Sequence, residues 1–199
     1  MPKIGMKAIR QAQLITATLT VIDRVGLANA SLALIAKEAG VSTGIVSHYF
    51  GDKNRLLEAC MLQILSDLYV ALRHQRLKAD NDAEAQIKAI IDGNFDISQI
   101  ATPVLKIWLV FWAESLYQPN LNRLQRINDR RLYSNLTAQF RRVMPADQAR
   151  AAASSLAAII DGLWLRLTLA PLPMDQGLKQ ARMLCYQNLA LWLNSVVTP

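Results

Sequence analysis

Apolar residues in this chain recur three and four positions apart, and glycine or proline separates the runs that carry the spacing. Over residues 6–25, Ile9, Ala12, Ile15, Leu19 and Ile22 fall on one helical stripe, and Gly26 follows as a stop. After Asp52, a capping residue, Leu56, Leu57, Cys60, Ile64, Leu68 and Leu72 trace a second, longer stripe. The stretches rich in Ala, Leu, Ile and Gln show no strand-type alternation, and only 8 glycines and 7 prolines punctuate 199 residues. That pattern predicts an all-α fold. A hydrophobic share of 52% against 19% charged is enough to fill a core and excludes a disordered chain.

The punctuation divides the chain into nine expected helices. Ser31 caps a short second helix with Leu32, Ile35, Ala36 and Ala39 turned inward, Gly40 ends it, and Ser42 caps the third. The polar cluster at 78–82 breaks the long fourth helix before one over 83–95. Thr102 and Pro103 open a helix to about residue 117, and Pro119 interrupts it before another over about 120–143. Pro145 resets the chain for 147–169, and Pro171 and Pro173 for 175–194. Residues 1–52 read as one domain, 53–76 as a connecting helix, and 77–199 as a second, larger domain.

Gln11, Gln13, Thr16, Thr18 and Thr20 interrupt the apolar region after residue 9, so it does not read as a signal peptide. Lys106, Glu114 and Asp161 break the best candidates for a membrane span. A cytoplasmic protein with no membrane partner is expected. Cys60 and Cys185 fall in helical apolar patterns and are expected as buried thiols. The net charge of +7 suits a polyanionic partner. Lys3, Lys7 and Arg10 precede the first acidic residue, Asp23, which is the arrangement of a phosphate-contacting arm or of a solvated helix start.

Residues 31–50 have the form helix, glycine turn, helix. Ala36 is small where the two helices approach, Gly40 supplies a left-handed turn, and Val41 plugs the angle. An ordinary helical hairpin shares that spacing. What favours DNA is the second helix, where Thr43, Ser47 and His48 present short polar groups to base edges or phosphates, Gly44 admits close backbone approach and Ile45 adds an apolar contact. His48 also reads as a plain surface histidine. Phe50 is assigned to the core and Tyr49 to a phosphate, with Lys53 adding a cation at the start of the next helix. Ser31 and Ser42 join this set as cap hydroxyls beside the backbone.

The run Ile35, Ala36, Ala39, Gly40, Val41, Ser42, Gly44, His48, Tyr49, Phe50, Lys53 and Leu56 resembles the N-terminal signature of TetR-type repressors. The resemblance implies a three-helix DNA-binding domain, a helical ligand-binding and dimerisation domain, operator DNA as partner, and a homodimer built on the last two helices. Thr43 and Ser47 stand where lysine and tyrosine are frequent in that family, so base preference does not carry over.

In the C-terminal part, Trp108 and Trp112 share a helix face, Phe111 lies beside it, Tyr117 lies beyond, and Trp164 belongs to a later helix. Tryptophans usually mean core. Glu114 and Asp161, however, sit inside apolar stretches, where each needs a partner: an ion pair with Arg123 or Arg166, or a cationic ligand held by aromatic faces. Segments 1–6, 42–50, 93–96, 108–112, 118–119 and 160–166 together are similar to the choline-responsive repressors of glycine betaine biosynthesis within the same family. That resemblance implies choline, or a related quaternary ammonium compound, as inducer, with no cofactor. The cage residues themselves come from chemistry rather than from the resemblance. A multidrug regulator for other organic cations and a ligand-independent DNA organiser remain open. An enzyme is disfavoured, because no phosphate loop or metal spacing occurs and His48 and His74 are the only histidines.

Overall fold

The computed structural model describes residues 5–100, 102–169 and 173–195, with backbone alone at Ile100 and Thr102. Its helices are α1 (Met6–Asn29), α2 (Leu32–Glu38), α3 (Thr43–Phe50), α4 (Lys53–Lys78), α5 (Ala83–Asn94), α6 (Ile97–Ile100), α7 (Thr102–Ser115), α8 (Pro119–Phe140), α9 (Ala146–Leu169) and α10 (Met174–Asn194). No strand occurs among the described residues. The nine expected helices are all present, and the single turn α6 is the addition. Asp96 nucleates that turn by accepting from Ser98 N–H at 2.9 Å, a local device with no apolar period to announce it.

Most helix ends follow the sequence signals. Gly26 leaves helical geometry at φ 74° and ψ 163°, so α1 bends there and one further turn runs on to Asn29. Ser31, Asp52 and Asp82 accept hydrogen bonds from Leu34, Arg55 and Ala85 N–H. Ser42 holds the cap position of α3, but its hydroxyl makes no cap bond, contrary to expectation. Pro119 is the first residue of α8, where a missing N–H costs nothing, so it opens that helix as well as ending α7. Lys3 and Pro171, singled out in the sequence, lie outside the described residues.

Packing gathers the described residues into two compact units: one from 1–65 and 101–123, the other from 66–100 and 124–199. This is a different partition from the functional division drawn from the sequence at 52 and 76, because α7 packs with α1. In unit one, α1 buries Leu14, Ala17, Thr18, Val21 and Ile22. The expected stripe of Ile9, Ala12, Ile15 and Leu19 is corrected. Ile9 is 49% exposed, and only Ile22 is shared, because α1 carries apolar residues on two faces and tertiary packing chose between them. At the α2–α3 turn Gly40 has φ 65°, Gly40 N–H reaches Lys37 O at 3.2 Å, and Val41 N–H reaches Ala36 O at 3.0 Å. Those two bonds are a Schellman cap, which needs the left-handed glycine.

In unit two, α10 packs against α9 and α5. Small buried residues allow the approach: Ala149, Ala152 and Ala153 on α9, with Gly177, Ala181 and Cys185 on α10. A further close approach occurs where α5 meets the end of α4, since a Cβ on Gly93 would stand 2.7 Å from Leu72 Cα. Backbone cannot yield there as a side-chain tip would. Gly93→Ala is therefore expected to destabilise the protein by about 1–3 kcal/mol, read as a lowered urea midpoint. Cys60 and Cys185 are free and buried as expected, and burial pushes both thiols up to about 12. One expectation is corrected in part, that no stretch is long and apolar enough to span a membrane. The 24 residues of α9, with a stretch at mean hydropathy 1.3, are long and apolar enough to cross a membrane by length and composition. Leucines and isoleucines in its second half, among them Ile159, Leu163, Leu165 and Leu167, supply most of that hydropathy. Leu156, Ile160 and Trp164 of this helix are buried in the fold.

Candidate functional site

Unit one holds the helices expected to read DNA. Val46 and Phe50 are buried and anchor α3, while Ser42, Thr43, Gly44, Ser47 and His48 are exposed on its other side, with Ile45 and Tyr49 half-buried between. His48 meets Tyr49 edge-on at 5.5 Å. Phe50 is thus core, as expected, and the polar set shares one solvent face. Ser31, also exposed, spends its acceptor on the α2 cap.

Polar tethers fix α1 to these helices. Gln13 Nε2 donates to Ala39 O at 2.8 Å, and Arg24 pairs with Glu38 at 3.0 Å. The Lys53 ammonium, assigned to phosphate from the sequence, donates to Leu27 O just beyond the Gly26 bend. One of its three protons is therefore spent within the fold. Arg10 donates to Gln13 Oε1 at 2.7 Å, and Lys7 is exposed. Lys7→Ala is expected to weaken binding alike on all duplexes and to reduce the salt slope by about 1, as for one lost phosphate contact. Thr43→Ala and Ser47→Ala should instead change which base pair is preferred. Fluorescence titrations of permuted duplexes at several salt concentrations separate the two outcomes.

The aromatic residues fall into two groups, one in each unit. On α7, Trp108 lies 5.8 Å from Phe111 and 6.0 Å from Trp112, ring centre to ring centre. Trp108 and Phe111 are buried, and Trp112 is half-buried. This helix is clasped to α1, because Lys106 Nζ bonds Asp23 Oδ1 at 2.6 Å and Asp23 O at 2.9 Å. Glu114 has no arginine partner among the described residues, and Gln118 Nε2 donates to it. Tyr117 is 83% exposed after the end of α7 and lines an open groove with Arg55 and Glu58, so the expected place in an enclosed cage is corrected.

In unit two, Trp164 stacks on Phe95 with 6.2 Å between centres and 14° between planes. Phe95, fully buried, was missed as an aromatic wall because it stands alone at a helix end. Asp161, one turn before Trp164, still meets solvent in the isolated chain. The protein around it, together with the neighbouring Asp129 charge, nevertheless pushes its carboxyl up to about 6. Burial also raises Asp129, which accepts from Gln125 Nε2 at 2.7 Å. Neither carboxylate has an ion-pair partner among the described residues, so the expected alternative of Arg123 or Arg166 is not realised. Unit two thus holds two carboxylates without an ion-pair partner among the described residues and a buried ring stack. No cluster able to hold a metal occurs among the described residues.

Residues 14–60 match the profile of bacterial regulatory proteins of the tetR family, and residues 83–193 match that of the BetI-type transcriptional repressor C-terminal domain. The chain is 56% identical over 195 residues, 98% of each protein, to the HTH-type transcriptional regulator BetI of Ectopseudomonas mendocina (strain ymp). The chain belongs to the BetI-type repressors of the TetR family. As such it is a DNA-binding transcriptional regulator and no enzyme. The N-terminal TetR match covers α2, α3 and most of α1, while the BetI-type match spans α5 to α9 and most of α10. Solved structures share the fold. A putative transcriptional regulator from Pseudomonas aeruginosa PAO1 has TM-score 0.78 at 27% identity, covering 94% of this chain and 92% of its own. A putative transcriptional regulator from Saccharomonospora viridis, in complex with choline, has TM-score 0.76 at 20% identity, covering 90% and 95%.

Proposed function

We propose that this BetI-type regulator represses genes for choline uptake and for choline oxidation to glycine betaine, and that choline releases it from operator DNA. The observation that carries the reading is the Asp161–Asp129 pair, which has no ion-pair partner among the described residues and lies on α9 one turn before Trp164 of the ring stack. A trimethylammonium group donates no strong hydrogen bond, so it is recognised by ring faces, at about 0.5–2 kcal/mol each, and by nearby negative charge. The choline-bound relative of the same fold and the BetI-type match over the sensor half support the same ligand. The cation is assigned to unit two because the unneutralised carboxylates lie there. The α7 rings engage one another, and their helix is clasped to α1.

The regulator acts as a homodimer in the cytoplasm, where the chromosome is, with two α3 helices addressing successive faces of a duplex. By linkage, a ligand that releases DNA is itself weakened by DNA, and by the same factor. The test is calorimetric titration with choline, betaine aldehyde and glycine betaine, repeated with operator duplex selected from a random library. Choline is expected to bind most tightly, and less tightly when DNA is present. Equal affinity for bulky aromatic cations would turn the assignment to a multidrug sensor, and no response to any cation would leave a ligand-independent DNA organiser.

A further inference from the structure

The α5–α6 corner buries Phe95 and Gln99, four residues apart, and exposes Ile97 and Ser98 between them. Phe95 and Gln99 face the interior at 0% and 1% exposure, while Ile97 is 80% exposed. Phe95 stacks on Trp164, so the Gln99 carboxamide lies on the inward side of the corner that carries the aromatic pair. Both its ends, Nε2 and Oε1, are buried without a hydrogen-bond partner. A carboxamide in that position is costly, since a buried donor and a buried acceptor each forfeit their bonds to water. An apolar residue of similar size would fill the same space without that cost.

We propose that Gln99 is the specificity-determining residue of the sensor and binds the hydroxyl of the cationic ligand. This rests on the choline reading above. An alcohol is the complement of a carboxamide, because its O–H donates to Oε1 while its oxygen accepts from Nε2. An aldehyde satisfies Nε2 alone. A carboxylate does the same and is repelled by Asp161 and Asp129. The ring stack and carboxylates thus select the quaternary ammonium end, and Gln99 selects the alcohol end.

The experiment compares choline with tetramethylammonium, which has the cation but no hydroxyl, on the full-length wild type and on Gln99→Met and Gln99→Leu. Choline affinity is expected to fall at least tenfold in both variants, while tetramethylammonium affinity changes by less than about twofold. The ligand-free variants are expected to melt at or above the wild-type temperature, since an unsatisfied amide has been removed, whereas a purely structural glutamine would lower it. Unchanged choline affinity in variants of a choline-binding wild type would overturn the role of Gln99 and leave the choline reading standing. So would an equal loss for both cations, or melting lowered in both variants. If the wild type bound neither cation, the choline reading itself would fall, and this inference with it.

Discussion

Asp161→Asn and Trp164→Leu are each expected to weaken choline binding at least tenfold at pH 7.5, while leaving operator affinity within about threefold of wild type. The asparagine keeps the shape of the carboxylate and removes only its charge. The leucine removes a ring face and leaves a smaller apolar group, so a melting curve must show that the variant is folded before its affinity is interpreted. Trp108→Phe is the comparison. It should keep choline affinity within about threefold if the cation sits at Trp164, and a loss equal to that of Trp164→Leu would relocate the cage to α7.

The same assignment predicts a pH dependence. Asp161 titrates at about 6, raised by burial and by the Asp129 charge, so choline affinity should fall as pH drops through that value and the carboxylate is neutralised. The sign for stability is opposite. A carboxyl whose folded value is raised above the ordinary 3.8 binds its proton more tightly when folded. Ligand-free protein therefore loses this contribution as pH rises from about 4 to about 6. Asp161→Asn should flatten both profiles, and solvent contact at Asp161 keeps the stability part small.

The second large effect concerns assembly. On the exposed side of α9, Ala151, Ser154, Ala158, Leu165 and Leu169 follow one stripe, and on α10 Leu184, Gln187 and Leu191 follow another. Leu165, Leu169, Leu184 and Leu191 are 41%, 68%, 37% and 70% exposed in the single chain. Large apolar side chains repeated at helical spacing on solvent faces need a covering surface, and in the proposed homodimer a second copy would supply one by two-fold symmetry. The Leu165→Glu, Leu184→Glu double variant is expected to sediment as a monomer at micromolar concentration and to bind operator at least a hundredfold more weakly, with helix content unchanged. Operator half-sites demand two linked reading helices, so the two losses should appear together. A variant that remained dimeric with wild-type operator affinity would place the interface elsewhere.

Local chemistry explains what could be read in advance. A cap or a left-handed glycine acts within four residues, so Ser31, Gly40, Asp52 and Asp82 marked helix ends without reference to the rest of the chain. The reading helix was legible for the same reason, since the buried Val46 and Phe50 leave Thr43, Ser47 and His48 on the opposite face by helical period alone. The aromatic and acidic inventory was visible as well, but its grouping was not. Glu114 and Asp161 looked equivalent in sequence. Folding satisfied the first through Gln118, one turn away on the chain, and placed the second beside Asp129 from another helix.

The sequence by itself determined an all-α chain, the positions of its main helices, the helix-turn-helix and the residue types available to hold a cation, because each depends on spacing along one helix or on a cap. Only the tertiary structure decided which face of α1 is buried, since that helix has two apolar faces and packing against its neighbours, α2 and α7 among them, distinguishes them. Tertiary packing also committed Lys53 to the Leu27 carbonyl, 26 residues away, left Tyr117 in solvent and stacked Phe95 on Trp164. Contacts between residues so far apart have no period and no local signal. They are set by which surfaces meet when the helices pack.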